Sequence, residues 1–278
     1  MTTPAQSRRS SGYGGRTYLW PPGSSPATAE FEVQSVTTLI GKGLPKPFLA
    51  PWSAKMVAEY AVQHVDDWAG MSKRDPKGVV DMLKRSVYRS TAEKADMGTI
   101  AHASADAYIA GKPLTEDQFN GMLKDRAVPL DRWKATKGYA KGALEFLMSH
   151  EPEVLHNEAT VYSRKHGYAG TLDLLMKLRI GGAEHLAIGD FKTSKSIYAE
   201  VGLQLSAYAN ADFIGLNDGT EIPLPGPIEH GVAIRLTPSG QYEAVAFSLT
   251  PDLFDVFLAC AAVARGQDVM ERAKRPTF

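Results

Sequence analysis

From Pro51 to about His150 the apolar positions recur at helical spacing, and after Glu151-Pro152 they alternate at the period of a strand. This change of period divides the chain. Upstream of it, Phe31–Ile40 reads as a short extended run, and Gly41–Pro47 as a turn or loop from its Gly and Pro content. Pro51 suits a helix start, with Trp52, Met56 and Tyr60 on one face. Asp96 or Thr99 is placed to cap a helix that runs to Ala110 and ends at Gly111-Lys-Pro113. A further helix is expected over Leu130–Ser149.

Past the break, Val154–Ser163, Tyr168–Ile180 and Glu184–Phe191 are strand-like. The short separators Lys165-His-Gly167 and Gly181-Gly182 make them consecutive antiparallel strands. Ala199–Phe213 returns to helical spacing. Gly231–Leu236 and Tyr242–Phe247 flank Pro238-Ser-Gly240 as another hairpin, and Leu253–Ala264 is a small-residue helix before a basic, fraying end. Residues 1–30 show no hydrophobic period and read as a disordered leader with a net charge near +2. The pattern predicts one α/β domain over 31–278, mainly helical as a lobe over 31–150 and a sheet core over 151–278.

Composition narrows the function. Lys+Arg and Asp+Glu balance at 31 each, so any grip on nucleic acid must come from local patches. The single cysteine, Cys260, excludes a disulfide scaffold, a cysteine-ligated zinc site and a four-cysteine iron–sulfur cluster, and fits a reducing, cytoplasmic compartment. The longest apolar run, Val256–Ala264, falls well below the roughly 20 residues of a membrane span, and no signal peptide is visible.

The densest polar constellation lies in and after the strands. Asp173 sits among apolar residues in Gly170-Thr-Leu-Asp-Leu-Leu175. Asp190 and Lys192, two apart in Ile188-Gly-Asp-Phe-Lys-Thr193, share a strand face. Losing solvation there, they need each other, a metal or a ligand, and a structural salt bridge is the plain alternative. A second acid one hairpin away favours a cation between the carboxylates, and hard divalent ions take such oxygens. Gln204 and Tyr208 share a helix face, which by itself is ordinary helix surface. His102, taken alone, reads more readily as a core or capping residue than as a ligand. Glu158, near the start of the first strand, is a further candidate acid whose expected partner is Arg164 or Lys165.

Together, Gly98-x-x-x-His102, Gly170-x-x-Asp173, Asp190-x-Lys192-Thr193 and Gln204-x-x-x-Tyr208 resemble the PD-(D/E)XK nuclease superfamily, in particular its RecB-like and Cas4-like phage exonucleases. Val36-Thr-Thr-Leu39, Leu44-Pro-Lys-Pro47 and Trp52-Ser-Ala-Lys55 are similar to the N-terminal lobe of phage members. The resemblance implies a restriction-endonuclease-like core, a mixed central sheet flanked by helices. It implies a Mg²⁺ or Mn²⁺ site held by His102, Asp173, Asp190 and the Phe191 carbonyl. Lys192 is implied to act on the attacking water and on developing negative charge, and Gln204 and Tyr208 to face the substrate backbone. Many relatives carry a four-cysteine iron–sulfur cluster, which a chain with Cys260 alone lacks.

The expected activity is a metal-dependent DNA exonuclease in phage-type recombination, repair or DNA processing. The implied partners are DNA and a recombination or single-strand annealing protein. The alternatives are a structure-specific or nicking endonuclease, or an inactive DNA-binding subunit of the same fold. Arg164, Lys165, Lys177, Arg179, Lys192 and Lys195 outnumber the acids of residues 161–195, and Lys42, Lys46 and Lys55 offer a second basic rim for sequence-independent backbone contacts. Trp52, Tyr60 and Trp68 are expected as core of the helical lobe rather than a base-stacking platform.

Overall fold

The computed structural model describes residues 7–9 and 15–274. In chain order the strands are β1 (Ser7–Arg9), β2 (Arg16–Trp20), β3 (Phe31–Ser35), β4 (Glu153–Ser163), β5 (Tyr168–Ile180), β6 (Ala183–Lys192), β7 (Phe213–Gly215), β8 (Glu221–Pro223), β9 (His230–Leu236) and β10 (Tyr242–Ser248). The helices are α1 (Val36–Gly43), α2 (Leu49–Gln63), α3 (Val65–Ala69), α4 (Pro76–Ile109), α5 (Glu116–Asp125), α6 (Leu130–His150), α7 (Glu200–Ala209) and α8 (Pro251–Ala273). The expected α/β class, with a mixed and mostly antiparallel sheet flanked by helices, is what the chain forms.

Strand β5 organises the sheet. Strand β4 pairs along one of its edges, antiparallel, from Ser163↔Tyr168 to Glu153↔Lys177. The other edge is divided. Strand β3 takes Tyr168 and Ala169 in parallel, and β6 takes Leu174–Ile180 antiparallel, so positions 170–173 lie in a fork between them. Strand β6 continues the sheet through a parallel pairing with β9, and β10 closes that side. Both faces are covered. Ala101 and Ala105 of α4 and Phe146 of α6 pack on Leu174, Met176 and Ile234. On the opposite face Leu39 of α1, Leu205 of α7 and Phe257 of α8 pack on Tyr168, Leu175 and Ile188. The helices of residues 31–150 are thus shared between the two faces of one sheet.

Several expectations change. The run Phe31–Ile40 is split, because the Ser35 hydroxyl accepts the Thr38 N–H and starts α1 there, and that helix runs on to Gly43. Helix α4 begins at Pro76, where Asp75 accepts the Gly78 N–H and proline fills the first turn. Asp96 and Thr99 therefore lie inside the helix: Asp96 pairs with Arg126, and the Thr99 hydroxyl donates back to Ala95 O. Within the leader, Arg16–Trp20 is a strand whose Tyr18, Leu19 and Trp20 are buried. Its Gly- and Ser-rich setting hid a three-residue apolar run too short to show a period. The rest of the leader, 1–6 and 10–14, and the basic end, 275–278, fall outside the described residues. Helices α2 and α3 bury no residue, so Trp52, Tyr60 and Trp68 are not core. Trp68 bonds Ala61 O along the surface and Tyr60 stacks on His64. No helix among the described residues is long and apolar enough to cross a membrane.

Trp20 packs on Tyr162 and Phe213, each at a ring separation of 5.0 Å. Trp20→Ala is expected to cost about 3–5 kcal/mol in urea unfolding. A midpoint equal to wild type would place the leader outside the cooperative fold.

A candidate metal centre beside a buried lysine network

Asp173 is the last residue of the fork. Leu174, next to it, ends the β5–β6 ladder opposite Gly189. One step further, where the register would set Asp173 against Asp190, the strands part. Asp173 Oδ2 then accepts the Phe191 N–H at 2.7 Å, a side chain doing what a neighbouring strand's carbonyl would do.

Strand β4 supplies the second acid. Pairs Asn157↔Leu174 and Ala159↔Leu172 bracket Glu158 and set it level with Asp173. Glu158 has φ 48°, in the left-handed region. Successive strand residues normally point to opposite faces. Here both Asn157 and Glu158 reach α4: Asn157 Nδ2 donates to Asp106 Oδ1 at 3.2 Å, and Glu158 Oε1 lies 3.3 Å from His102 Nδ1. His102 and Asp106 are one turn apart on α4. His102 Nδ1 is also 3.4 Å from Asp173 Oδ1, and its ring meets Phe191 edge-on at 5.8 Å.

Ligand atoms of His102, Glu158 and Asp173 all lie within 4.8 Å of one another. A nitrogen and two carboxylate oxygens at that spacing are a donor set that Mg²⁺ or Mn²⁺ would accept. The electrostatics fit a missing positive charge. Burial pushes the Asp173 carboxyl up to about 7; His102 opposes that shift, and Asp190 and Glu158 add to it. Burial and the nearby Glu158 carboxylate push Asp106 up to about 6. His102 rises to about 9: burial alone would lower it, but Asp173 and Glu158 together outweigh that.

The second half of the site is a closed polar network. Asp190 is only 2% exposed, and its Oδ2 lies 2.6 Å from Lys192 Nζ. Gln204, from α7, fixes both partners, its Nε2 donating to Asp190 Oδ1 at 2.7 Å and its Oε1 accepting from Lys192 at 3.2 Å. The same Nε2 is 3.2 Å from the Tyr208 hydroxyl. Burial works against the lysine's charge, yet Asp190 and Asp173 hold its pKa above the usual value, so it is an ammonium at neutral pH. Gly170 is needed for Tyr208: a Cβ there would fall 2.4 Å from the Tyr208 ring.

The fold thus joins His102 to Asp173, and Asp190, Lys192, Gln204 and Tyr208 to one another. Phe191 meets Asp173 through its N–H. Two placements differ from expectation. Asp190 lies outside the three-ligand cluster, engaged by Lys192 and Gln204. Tyr208 is buried against Gly170 and supports Gln204 instead of presenting its ring to a ligand, because the fork brings α7 down onto β5. The ligand left as a side candidate is Glu158. Its expected partner Arg164 is clasped instead by Glu30 at 3.0 Å and Glu221 at 2.8 Å, and the Lys165 N–H is taken by Asp212. The signal for Glu158 was present: it precedes the β4–β5 loop by as many residues as Asp173 follows it. The basic surroundings are also less free than their count suggests, since Lys177, Lys46 and Lys55 pair with Glu153, Glu200 and Glu59.

Bringing a divalent ion to these side chains must displace the protons that His102 holds up to about 9 and Asp173 up to about 7. Raising the pH therefore strengthens binding. The Mn²⁺ affinity is expected to rise by roughly tenfold per pH unit between about 7 and 9, and more steeply below about 7 where two protons leave. Calorimetric titration at several pH values checks this, and Glu158→Gln should weaken the wild-type affinity at least tenfold. A pH-independent dissociation constant would place the ion elsewhere.

Compared with known proteins, the chain matches no protein-family model and no curated protein sequence.

Proposed function

We propose that the chain is a metal-dependent DNA nuclease of the PD-(D/E)XK type, similar to RecB-like and Cas4-like phage exonucleases but without their iron–sulfur cluster. The observation that carries this reading is the convergence of His102, Glu158 and Asp173 within 4.8 Å, beside a buried Asp190–Lys192–Gln204 network. A structural salt bridge alone would need Asp190 and Lys192 and nothing more. It leaves the two acids beside His102, and the left-handed backbone that aims one of them, without a purpose.

His102, Glu158 and Asp173 would hold Mg²⁺ or Mn²⁺, which would supply Lewis-acid charge at a phosphoryl group. The chain's own residues supply the rest. Lys192, kept protonated by Asp190, offers an ammonium to negative charge that develops on a phosphodiester undergoing attack; it is a stabiliser of charge rather than a base. Gln204 holds that ammonium in one position by bonding it and its counter-ion together. Tyr208, its ionisation driven well up by burial, stays a neutral hydroxyl and braces Gln204 from behind. None of these groups reads a base, so the substrate is expected to be recognised through its backbone. The requirement for a DNA end rests on the resemblance of Gln204-x-x-x-Tyr208 to exonuclease-type members.

End-labelled linear DNA and covalently closed circles, each incubated with Mg²⁺, Mn²⁺ or EDTA, test the proposal. Linear DNA should be degraded with either metal and spared in EDTA, while closed circles survive. Lys192→Ala should lose roughly 10²–10³-fold in rate with Mn²⁺ affinity retained, whereas Asp173→Asn should lose both. Hydrolysis in EDTA, or a Lys192→Ala variant as fast as wild type, would overturn the assignment. Circles cut as fast as linear DNA would replace the exonuclease with an endonuclease on the same site.

A further inference from the structure

Three aromatic rings on segments adjoining those that carry this site keep much of their surface in water. Phe48 is 49% exposed, Trp52 36% and Tyr198 45%. They come from two separate segments. Phe48 precedes α2, and Trp52 follows it by one turn of that helix. Tyr198 lies in the loop that leads from Lys192 at the end of β6 to α7. The Phe48 and Tyr198 rings are nearly parallel, 10° apart in plane with centroids 6.2 Å apart.

Both ends of the group are tied to elements that build the site. Lys94 of α4 places its ammonium 5.9 Å from the Trp52 ring. Gly98, one turn along the same helix, faces Thr193, and His102 follows one turn later. On the other side Lys46 pairs at 3.1 Å with Glu200, which is one turn ahead of Gln204 on α7. The rings are therefore tied to α4, which carries His102, and to the segment that joins Lys192 to Gln204.

A purely structural role would have these rings bury one another to fasten α2. That helix buries no residue, and each ring keeps a third or more of its surface open, so they secure little. Lys94, held over the Trp52 ring, and Lys195, in the same loop as Tyr198, meet no carboxylate among the described residues. The exposed parts of Trp52 and of the Phe48–Tyr198 stack, beside two ammonium groups without a counter-ion, match a chain that alternates flat bases with phosphates.

We infer that Phe48, Trp52 and Tyr198 form a stacking platform for the unpaired bases of a single-stranded DNA segment entering the site. Lys94 and Lys195 meet the phosphates on either side. The platform is indifferent to sequence, since every base offers a face to stack. It requires bases that are out of a duplex, which assigns single-stranded or frayed DNA as the strand presented to the metal centre. The inference rests on the nuclease reading for what lies beyond the rings, but base stacking itself is measurable without any hydrolysis.

The test compares an oligothymidylate with an abasic oligomer of equal length, each carrying a fluorescent label, by anisotropy with the full chain in EDTA. Wild type should bind the thymidylate at least tenfold more tightly than the abasic strand, as expected for about 1.4 kcal/mol of stacking. Trp52→Ala, and Phe48→Ala combined with Tyr198→Ala, should each remove most of that difference while leaving abasic binding unchanged. Trp52→Phe and Tyr198→Phe keep aromatic faces and should restore it, which separates lost stacking from lost folding. Equal affinity of wild type for the two strands, or alanine variants that keep the preference, would overturn the inference. So would a wild type that sediments as a dimer broken by the same substitutions and shows no base preference, because the rings would then serve a second copy of the chain. A nitrophenyl phosphodiester, too small to stack along the platform, reports on the metal centre separately. Its failure to be hydrolysed counts against the nuclease reading and leaves base-dependent binding standing.

Discussion

One edge of β5 is shared by two strands that do not meet, and the rest of the site follows from that division. Strand β3 occupies the edge at Tyr168 and Ala169, and β6 occupies it from Leu174 onward. A continuous strand in the intervening stretch would satisfy its backbone and close the sheet. Instead Asp173 reaches across to the Phe191 N–H, Gly170 leaves room for Tyr208, and the Thr171 hydroxyl meets Tyr18 from β2. A fork in a sheet exposes polar backbone at a depth where water is scarce, so polar side chains are drawn to it. The same cause that makes the fork costly makes it a place where acids and an ammonium can stand close together.

The charges gathered there do not balance by themselves. Among the described residues, Glu158, Asp173, Asp190 and Asp106 have His102 and Lys192 as their neighbouring cations. The consequence appears in the carboxyls whose protons are held up by burial, Asp173 to about 7 and Asp106 to about 6. Asp190 is held differently, with Lys192 and Gln204 engaging its two oxygens. Two subsites of different character result. One is a rigid pair whose charge is settled internally. The other is a set of three donors in which the protons of His102 and Asp173 would give way to the proposed divalent cation. The first suits a fixed electrostatic role and the second an exchangeable ion.

Much of this could be read in the sequence where local rules are strong. Gly181-Gly182 fixed a tight β5–β6 turn, and that turn alone sets Asp173 level with Asp190. Asp190 and Lys192 had to share a face because two residues separate equal faces of a strand. Other features depended on contacts that no local pattern encodes. Glu158 lies where its strand leaves the regular alternation, so its direction could not be inferred from period. Trp52 and Tyr60 follow a helical spacing that looks like a core face, but α4 meets them with Lys94 and Arg89 in place of apolar side chains, so α2 buries no residue. The Tyr18–Trp20 strand is too short for periodicity and is recognised only through its partners, Tyr162, Ala169 and Phe213. Tyr208 looked like a helix surface residue because its burial comes from β5, across a glycine far away in sequence.

The backbone at Glu158 shows which of these features is hardest to explain by stability alone. A left-handed conformation at a residue with a Cβ costs roughly 1–2 kcal/mol, which glycine would avoid. Glycine would also allow the same break in the strand while removing a carboxylate from a place already crowded with them. On both counts the sheet would be better off without Glu158. What the residue provides is an oxygen directed at His102 and level with Asp173, next to Asn157, which also reaches α4. A strained residue whose removal would ease both backbone and electrostatics is what the proposed metal site would account for.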